Sequence, residues 1–266
     1  MEIIGRVSKG SVMDQVYLPK QRNGLPIGSY VIIRAAVQAP QAPKPVLYGV
    51  KNLEPLKIEI VKRVSSLIEE KVECTNILIT GSFVKQGFGF RDIDILIVSD
   101  EKKIDEKGIA ARIVQEIGTP VHIILLTEKE LAIGAVRDPL YALMVSRCIA
   151  KKRFTYHLQK RIINPQLLDV HLLKSKVVIY SFEFMSGDDL YYAVRNMVAI
   201  SLFLKGKISA ELIEKQIKNI FNLSEKEILR KAFKKTSFLK KYKSFYNATF
   251  ESILKYAHDA KSKQIA

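Results

Sequence analysis

Short apolar runs alternate with amphipathic segments in the middle of the chain. Residues 76–80 (NILIT), 92–100 (DIDILIVSD) and 121–126 (VHIILL) are apolar runs of strand length. Apolar residues at helical spacing precede the first run, at 56–68, and lie between the second and third runs, at 105–117, where Gly118 and Pro120 follow. This order predicts an α/β domain with a buried sheet over residues 47–137.

The flanking segments have different patterns. Residues 1–36 contain short β-branched runs (EIIGRV, VYLP and SYVIIRAA) separated by Gly and Pro, which predicts strands and turns. Residues 39–45 contain three prolines, which predicts an extended linker. Residues 1–46 are therefore predicted to be an N-terminal β-hairpin module that ends in this linker. Residues 138–266 have mostly helical spacing and predict a C-terminal α-helical domain. The predicted fold class is therefore α+β, with a mixed sheet in the central domain.

The charge of the chain is concentrated in its last third. The 266 residues carry a formal net charge of +16, of which 47–150 contribute −1 and 151–266 contribute +13. A polyanion, RNA or DNA, is the partner that such a segment predicts. Cys74 and Cys148 provide neither a disulfide framework nor zinc-ligand spacing. Neither a secretory signal nor a membrane-spanning run is present in the sequence, which predicts a cytoplasmic protein without a membrane partner.

The candidate chemistry lies between the first two predicted strands. The first strand ends at Thr80, and Gly81 and Ser82 follow at a predicted helix start, where unpaired amides and a missing side chain favour a phosphate. Asp92 and Asp94 are two residues apart on a predicted strand, so both carboxylates lie on one face. Paired carboxylates suit Mg²⁺, with Mn²⁺ as the alternative, because Mg²⁺ takes oxygen ligands and shares them with substrate phosphates.

This arrangement resembles the nucleotidyltransferases of the DNA polymerase beta superfamily over roughly residues 50–130. The residues that match the motif of that family are Ile79, Gly81, Ser82, Asp92, Ile93, Asp94 and Ile95. The resemblance implies Mg²⁺-dependent transfer of a nucleoside monophosphate from a nucleoside triphosphate to an acceptor. It assigns the triphosphate to Gly81 and Ser82, and the metal and catalysis to Asp92 and Asp94. Lys85 and Arg91 are candidate phosphate contacts, for which surface solvation is the competing interpretation.

The family pattern has a third carboxylate on a later strand, where this chain has His122. His122 is a candidate general base, and Glu128 or Glu130 are alternative acids just past the strand. A third interpretation is that catalysis has been lost and the domain binds nucleotide or nucleic acid as a regulatory module. The fourth interpretation is that His122 is a partly buried histidine whose ring is hydrogen-bonded to a backbone group.

Residues 226–243 contain eight Lys and Arg and one acid, with aromatic residues among them. On a helix they form a basic face that is a candidate for nucleic-acid contact, and a solvated lysine face is the competing interpretation. The interleaved Phe233, Phe238 and Tyr242 are candidates for base stacking or for the core. The candidate nucleic-acid contacts are Arg230, Lys231, Lys234, Lys235, Lys240 and Lys241.

Residues 190–207 form an amphipathic segment ended by Gly206. With Tyr191, Tyr192 and Arg195 nearby, it resembles the helical substrate-binding domains that follow many nucleotidyltransferase domains. It is also similar to HEPN helical bundles. No His follows Arg195 closely, as it does in HEPN ribonucleases, so we do not expect ribonuclease activity.

The N-terminal segment resembles the swapped-hairpin domains of AbrB-type transcription regulators. Pro19-Lys20 and the later Gly28, Tyr30 and Val31 carry the resemblance. It implies a homodimer formed through this module and contact with DNA. A plain β-hairpin module is an equally good interpretation of the same residues.

Overall fold

The computed structural model describes residues 6–17, 26–27, 45–101, 103–155 and 161–265. The chain divides into two compact units, residues 1–41 and 42–266. In the first unit, β1 (Arg6–Ser8) pairs antiparallel with β2 (Gln15–Tyr17), close to the first two predicted strands. The third predicted strand and residues 39–44 of the predicted linker lie outside the described residues. So do the residues behind the AbrB-type resemblance, Pro19, Lys20, Gly28, Tyr30 and Val31.

The second unit contains a five-stranded mixed sheet. Its first elements are β3 (Val46–Tyr48), α1 (Pro55–Glu69), β4 (Asn76–Thr80), β5 (Ile93–Val98), α2 (Glu106–Ile117), β6 (Val121–Leu126), α3 (Glu128–Arg137), α4 (Pro139–Ser146) and β7 (Cys148–Ala150). The strand order is β3-β7-β4-β5-β6, with β5 and β6 parallel and the other neighbours antiparallel. The α+β class, the mixed sheet and the three predicted central strands are therefore confirmed.

Helices cover both faces of this sheet. Ile79 and Ile95 pack with residues of α1 and α2 on one face, whereas Leu78 and Leu96 pack with residues of α3 and α4 on the other. Successive strand side chains point to opposite faces, so burial on both sides requires apolar residues at nearly every position. This is why the central strands were visible as continuous apolar runs.

The predicted helices beside the sheet are confirmed, with one difference in packing. Gly118 ends α2 in the left-handed conformation, at φ 73°, which a residue with a side chain rarely adopts. In α1, Leu56 is 60% exposed, whereas the neighbouring Lys57 is buried at 0% exposure. The buried stripe of α1 therefore begins at Lys57 and continues with Val61, Val64, Leu67 and Ile68.

The remainder of the second unit is a helical bundle in which most helices pack against the central helix α7 (Gly187–Leu204). Its elements are α5 (Pro165–Ser175), α6 (Val177–Ser181), a short 3-10 helix (Phe182–Phe184), α7 (Gly187–Leu204), α8 (Ala210–Phe221), α9 (Glu225–Leu229) and α10 (Lys235–Ile265). Helix α7 packs against α4, α5, α8, α9 and α10. Its end is confirmed at Gly206, where Gly206 donates its N–H to the Phe203 carbonyl and Lys207 donates to the Leu202 carbonyl. No helix in the described parts of the chain is both long and apolar enough to cross a membrane.

The structure of residues 138–266 departs from the predicted helical pattern in two places. The segment is not helical throughout, because Cys148–Ala150 form β7 between β3 and β4. Three residues are too few for strand periodicity to be recognised. Residues 226–243 are not one helix, because α9 ends at Leu229 and Lys231 has a φ of 51°, which interrupts helical geometry before α10 begins.

Candidate active site

Three strands bring the predicted site residues to one edge of the sheet. β4 ends where β5 and β6 begin, because β4 and β5 are antiparallel and β5 and β6 are parallel. In this register Thr80 lies opposite Asp94, and Asp94 lies beside His122. Asp92 precedes β5 and is exposed, while Asp94 is half-buried. The structure thus places the glycine turn, the acid pair and His122 next to one another.

Gly81 lies against the carboxylate of Asp94. Its φ is 78°, and a β-carbon at this position would overlap the Asp94 side chain. Thr80, immediately before it, is held to α4, since its hydroxyl is 3.0 Å from the Met144 carbonyl oxygen and 2.9 Å from that of Arg147. Both the backbone conformation and the close approach therefore require glycine at residue 81.

The predicted helix start at Gly81 and Ser82 is wrong, because residues 81–84 form a turn. Lys85 donates its N–H to the Ser82 carbonyl, at 3.1 Å, but no helix follows. Phe83 and Val84 turn inward and are buried, which keeps the segment against the core of the sheet. A phosphate at this turn would meet turn amides and would gain nothing from a helix dipole.

The two acids influence each other electrostatically. Burial raises the pKa of Asp94, and the charge of Asp92 raises it further. His122, whose Nδ1 lies 3.5 Å from Asp94 Oδ1, and Arg195 act on the Asp94 pKa in the opposite direction. The carboxylates are therefore close enough to repel each other, and a divalent cation between them would relieve that repulsion. Their oxygen donors and mutual repulsion fit Mg²⁺, which needs few protein ligands when it retains water and substrate phosphates.

His122 is the third side chain at this edge, and it is 69% exposed. The alternative acids do not line the cleft beside it: Glu130 closes a capping box with Thr127 at the start of α3, and Glu128 is exposed on the same turn. Among the described residues, no group of three His, Cys, Asp or Glu side chains could hold a metal ion. A metal at this edge would therefore rely on Asp92 and Asp94 together with ligands from the substrate.

A cleft of about 400 Å³ opens beside Asp94 and His122. The sheet edge and α4 form one wall, and residues of α5, α7 and α8 form the other. Its floor includes apolar side chains of Ile124, Leu140 and Met144. A volume within the usual range of ligand pockets, apolar lining and a few polar groups are typical of a small-molecule site.

Positively charged side chains border the cleft. Lys85 reaches it from the turn, with its Nζ 2.5 Å from Glu225 Oε1 and 5.5 Å from the centre of the Tyr191 ring. Burial and the charge of Glu225 raise the pKa of Tyr191, so this ring is neutral beside the ammonium group. Arg91 lies elsewhere, because its guanidinium forms an exposed ion pair with Asp188 at 2.6 Å and it is not a cleft residue.

The sequence did not indicate four further polar residues of the cleft, namely Asp138, Arg147, His171 and Glu214. Arg147 pairs with Glu214 at 3.1 Å, and the buried His171 Nε2 lies 2.9 Å from Asp138 Oδ2. Arg195 also lines the cleft, with its guanidinium 5.6 Å from the centre of the Tyr192 ring. Only Arg195 had a signal in the sequence, namely its place near two tyrosines on an amphipathic helix.

The basic residues of the C-terminal segment divide into two groups. Lys231 donates to the Phe182 carbonyl at 3.4 Å, Lys235 pairs with Glu183, and Lys241 donates to the Phe221 carbonyl at 3.0 Å. The other three candidate contacts, Arg230, Lys234 and Lys240, are exposed, as are Lys235 and Lys241.

The interleaved aromatic residues belong to the core. Phe238 and Tyr242 are buried, and Phe233 stacks on Phe238 with ring centres 4.6 Å apart. Of the two interpretations of these rings, packing in the core is therefore confirmed, and they are not a surface on which bases stack.

Comparisons with known proteins provide no relative whose function can be transferred to the site. No protein-family model matches the chain, and a search of curated proteins finds no match. The chemistry of the sheet edge and the cleft is therefore inferred from their own residues and contacts.

Proposed function

We propose that the protein is a Mg²⁺-dependent nucleotidyltransferase, which moves a nucleoside monophosphate from a nucleoside triphosphate to an acceptor. The observation that supports this most strongly is the convergence of Gly81, Asp92, Asp94 and His122 on one sheet edge beside a ligand-sized cleft. Acid pairs and glycine turns are common separately. Here the two are in contact, because Asp94 occupies the space that a side chain on residue 81 would fill. A turn accessible to phosphate would thus lie beside a metal-binding pair.

The triphosphate would lie between the turn and the cleft. The backbone amides of residues 81–84, together with the hydroxyl of Ser82, would offer hydrogen-bond donors to phosphate oxygens. Lys85 can move from Glu225 to a phosphate group, because both partners are anionic and the ion pair is partly exposed. Asp92 and Asp94 would hold Mg²⁺, which when bound neutralises phosphate charge in the reaction.

The transfer requires a proton acceptor as well as these groups. The acceptor hydroxyl oxygen attacks the α-phosphorus, a new P–O bond forms, and the bond to the pyrophosphate breaks with its electron pair leaving on pyrophosphate. The hydroxyl proton needs a base at the sheet edge. His122 is beside Asp94 and accessible to solvent, so its neutral ring can accept that proton.

The proposed acceptor is nucleic acid, RNA or DNA. The exposed Arg230, Lys234 and Lys240 belong to the segment that carries the excess positive charge. Such charges neutralise phosphates irrespective of sequence. Because the aromatic rings of this segment are in the core, contact with the acceptor would be electrostatic rather than through base stacking.

A second candidate function is binding without turnover. The sheet edge has a histidine where the related family has a third carboxylate, and among the described residues no third acid joins Asp92 and Asp94 in a metal-binding group. An imidazole adds no negative charge for a hard cation. This observation favours a degenerate transferase domain that binds nucleotide or nucleic acid as a regulatory module.

Incubation of the chain with α-labelled nucleoside triphosphates, Mg²⁺ or Mn²⁺ and RNA distinguishes the two. Labelled RNA is expected with the native chain and not with an Asp92→Ala/Asp94→Ala variant. Labelling that persists in the variant would remove these acids from the mechanism. Labelling that appears only in a His122→Asp variant would establish the native chain as a binding module.

A further inference from the structure

Lys57 is a buried cation directly behind the candidate site. It is on α1 with 0% exposure, and among the described residues it is the only buried lysine or arginine. Its Nζ lies 2.6 Å from the Lys85 carbonyl oxygen, 2.5 Å from the Gly87 carbonyl oxygen and 3.2 Å from Glu54 Oε2. Two of the three N–H donors of this ammonium group are thus hydrogen-bonded to carbonyl oxygens, and the Glu54 carboxylate lies within ion-pair distance.

Three aromatic rings complete the surroundings of this ammonium group. The centres of the Phe83, Phe88 and Phe90 rings are 5.5, 5.4 and 5.5 Å from Lys57 Nζ. All three belong to the segment between Gly81 and Asp92, in which residues 83, 85, 87, 88 and 90 therefore all contact the Lys57 ammonium group. Cation–π attraction is stronger for a desolvated cation, and Lys57 is fully buried.

Glu54 fixes the same segment from the other side of the ammonium group. Its Oε1 accepts the Gly87 N–H at 2.5 Å, while Oε2 faces Lys57. The Gly87 amide and the Lys57 charge lower the pKa of Glu54, so its carboxylate stays ionised. Gly87 has a φ of 84°, which directs its N–H to Glu54 and its carbonyl to Lys57 in one residue.

A buried cation is costly at a position where α1 otherwise buries valine, leucine and isoleucine. An apolar residue would pack against the sheet without that desolvation cost. The partners of Lys57, however, are two carbonyl groups and three rings of a turn segment that has no helix or strand ladder of its own. The ammonium group therefore supplies to residues 83–90 the hydrogen-bond donors that regular secondary structure would otherwise supply.

We infer that Lys57 is a positioning residue, which anchors residues 83–90 in one conformation and thereby holds Lys85 and Asp92 at the sheet edge. The main chain of Lys85 is bound by Lys57, while its side chain points to the cleft and to Glu225. Asp92 follows the anchored segment by two residues. The consequence for catalysis rests on the proposed function, but the anchoring itself does not.

The test uses the chain with Lys57→Met, which approximately preserves side-chain length and removes the charge. Lys62→Met is the matched control, since Lys62 is on the same helix but pairs with Glu59 at the surface. Hydrogen–deuterium exchange of residues 83–91 is expected to become at least ten times faster in Lys57→Met, while exchange in α2 stays within a factor of two. Affinity for Mn²⁺ alone, measured by electron paramagnetic resonance, is expected to fall at least fivefold, and kcat for transfer at least tenfold.

Unchanged exchange of residues 83–91, or equal acceleration in α2, would overturn the inference, because Lys57 would then only contribute to general stability. If Lys57→Met does not fold, Glu54→Gln provides the same measurement, since it weakens the Gly87 contact and keeps the side-chain shape. Native chain that binds no Mn²⁺ and transfers no nucleotide would refute the proposed function, whereas the exchange result would still decide the anchoring. A transferring native chain with unaltered exchange in both variants would refute the anchoring alone.

Discussion

Gly81 and Asp94 are in contact at the edge of the sheet, with the Asp94 carboxylate in the space that a side chain on residue 81 would occupy. The turn and Asp94 are therefore packed directly against each other. This contact places the residue that follows β4 and a residue of β5 in one candidate site.

The first prediction concerns Gly81→Ala. The added β-carbon meets the Asp94 carboxylate, and the alanine must also adopt a left-handed φ of 78°. We expect a loss of about 1–3 kcal/mol in the free energy of unfolding, measured by urea denaturation, together with loss of nucleotide transfer. Gly89→Ala is the control, because Gly89 has open space around it and no left-handed φ, and its effect should stay within about 0.5 kcal/mol. Equal effects of the two substitutions would show that the contact with Asp94 is unimportant.

The second prediction concerns the pH dependence of stability. The pKa of Asp94 is raised in the folded chain by burial and by Asp92, so the folded state binds this proton more readily than the unfolded state. The contribution of Asp94 to stability is therefore present at low pH and is lost as pH rises through its folded pKa.

Asp92→Asn removes one cause of the raised Asp94 pKa and should therefore stabilise the chain at pH 7. Because Asp94 is only half-buried, solvent screening limits the expected gain to roughly 0.5–1 kcal/mol. The gain should shrink as pH falls and Asp94 takes up its proton, and urea titrations at pH 7 and pH 4 measure it. A gain of the same size at both pH values would mean that Asp92 and Asp94 do not interact.

The third prediction concerns His122. As the base for the attacking hydroxyl, it should be needed for the chemical step rather than for nucleotide binding. His122→Ala is expected to lower kcat by about 10²–10⁴-fold with little change in the nucleotide KM. A kcat that does not change in His122→Ala would assign the proton to another group.

The fourth prediction concerns the basic segment. Lys234→Gln/Lys240→Gln removes two exposed charges and should weaken RNA binding irrespective of sequence. The slope of log K against log salt concentration should become shallower by roughly 1.4–1.8, the effect of two lost phosphate contacts. Lys107→Gln, an exposed lysine of α2 in the nearly neutral part of the chain, is the control and should leave the slope unchanged. Identical slopes for both variants would locate RNA elsewhere.

Much of the fold could be predicted because its signals are local. The strands containing Ile79 and Ile95 are buried by helices, and their continuous apolar runs report that burial directly. The strand containing Ile123 is partly buried at the end of the strand order, and its run is apolar apart from His122. Gly118 and Gly206 follow the ends of their helices with a left-handed φ, and a single glycine in the sequence is enough to predict such an end. β7 escaped prediction because its position between β3 and β4 depends on pairing across the chain.

The site was predictable only in part. Asp92 and Asp94 are two residues apart at the start of β5, so their spacing alone brings them together, but the walls of the cleft come from helices remote in sequence. Arg147 and His171 join it only through tertiary packing. Lys57 was hidden for a different reason: a lysine on an amphipathic helix normally predicts a solvated surface, and its partners here lie 28 and 30 residues further along the chain.

The most direct test of the central claim is a crystal structure of the chain with Mn²⁺ and a non-hydrolysable nucleoside triphosphate. We predict an anomalous peak for Mn²⁺ between the carboxylates of Asp92 and Asp94, about 2.0–2.2 Å from their oxygens. The triphosphate should lie against the amides of residues 81–84, with the α-phosphate nearest His122. A nucleotide bound away from this edge, or Mn²⁺ bound without either aspartate, would contradict the account.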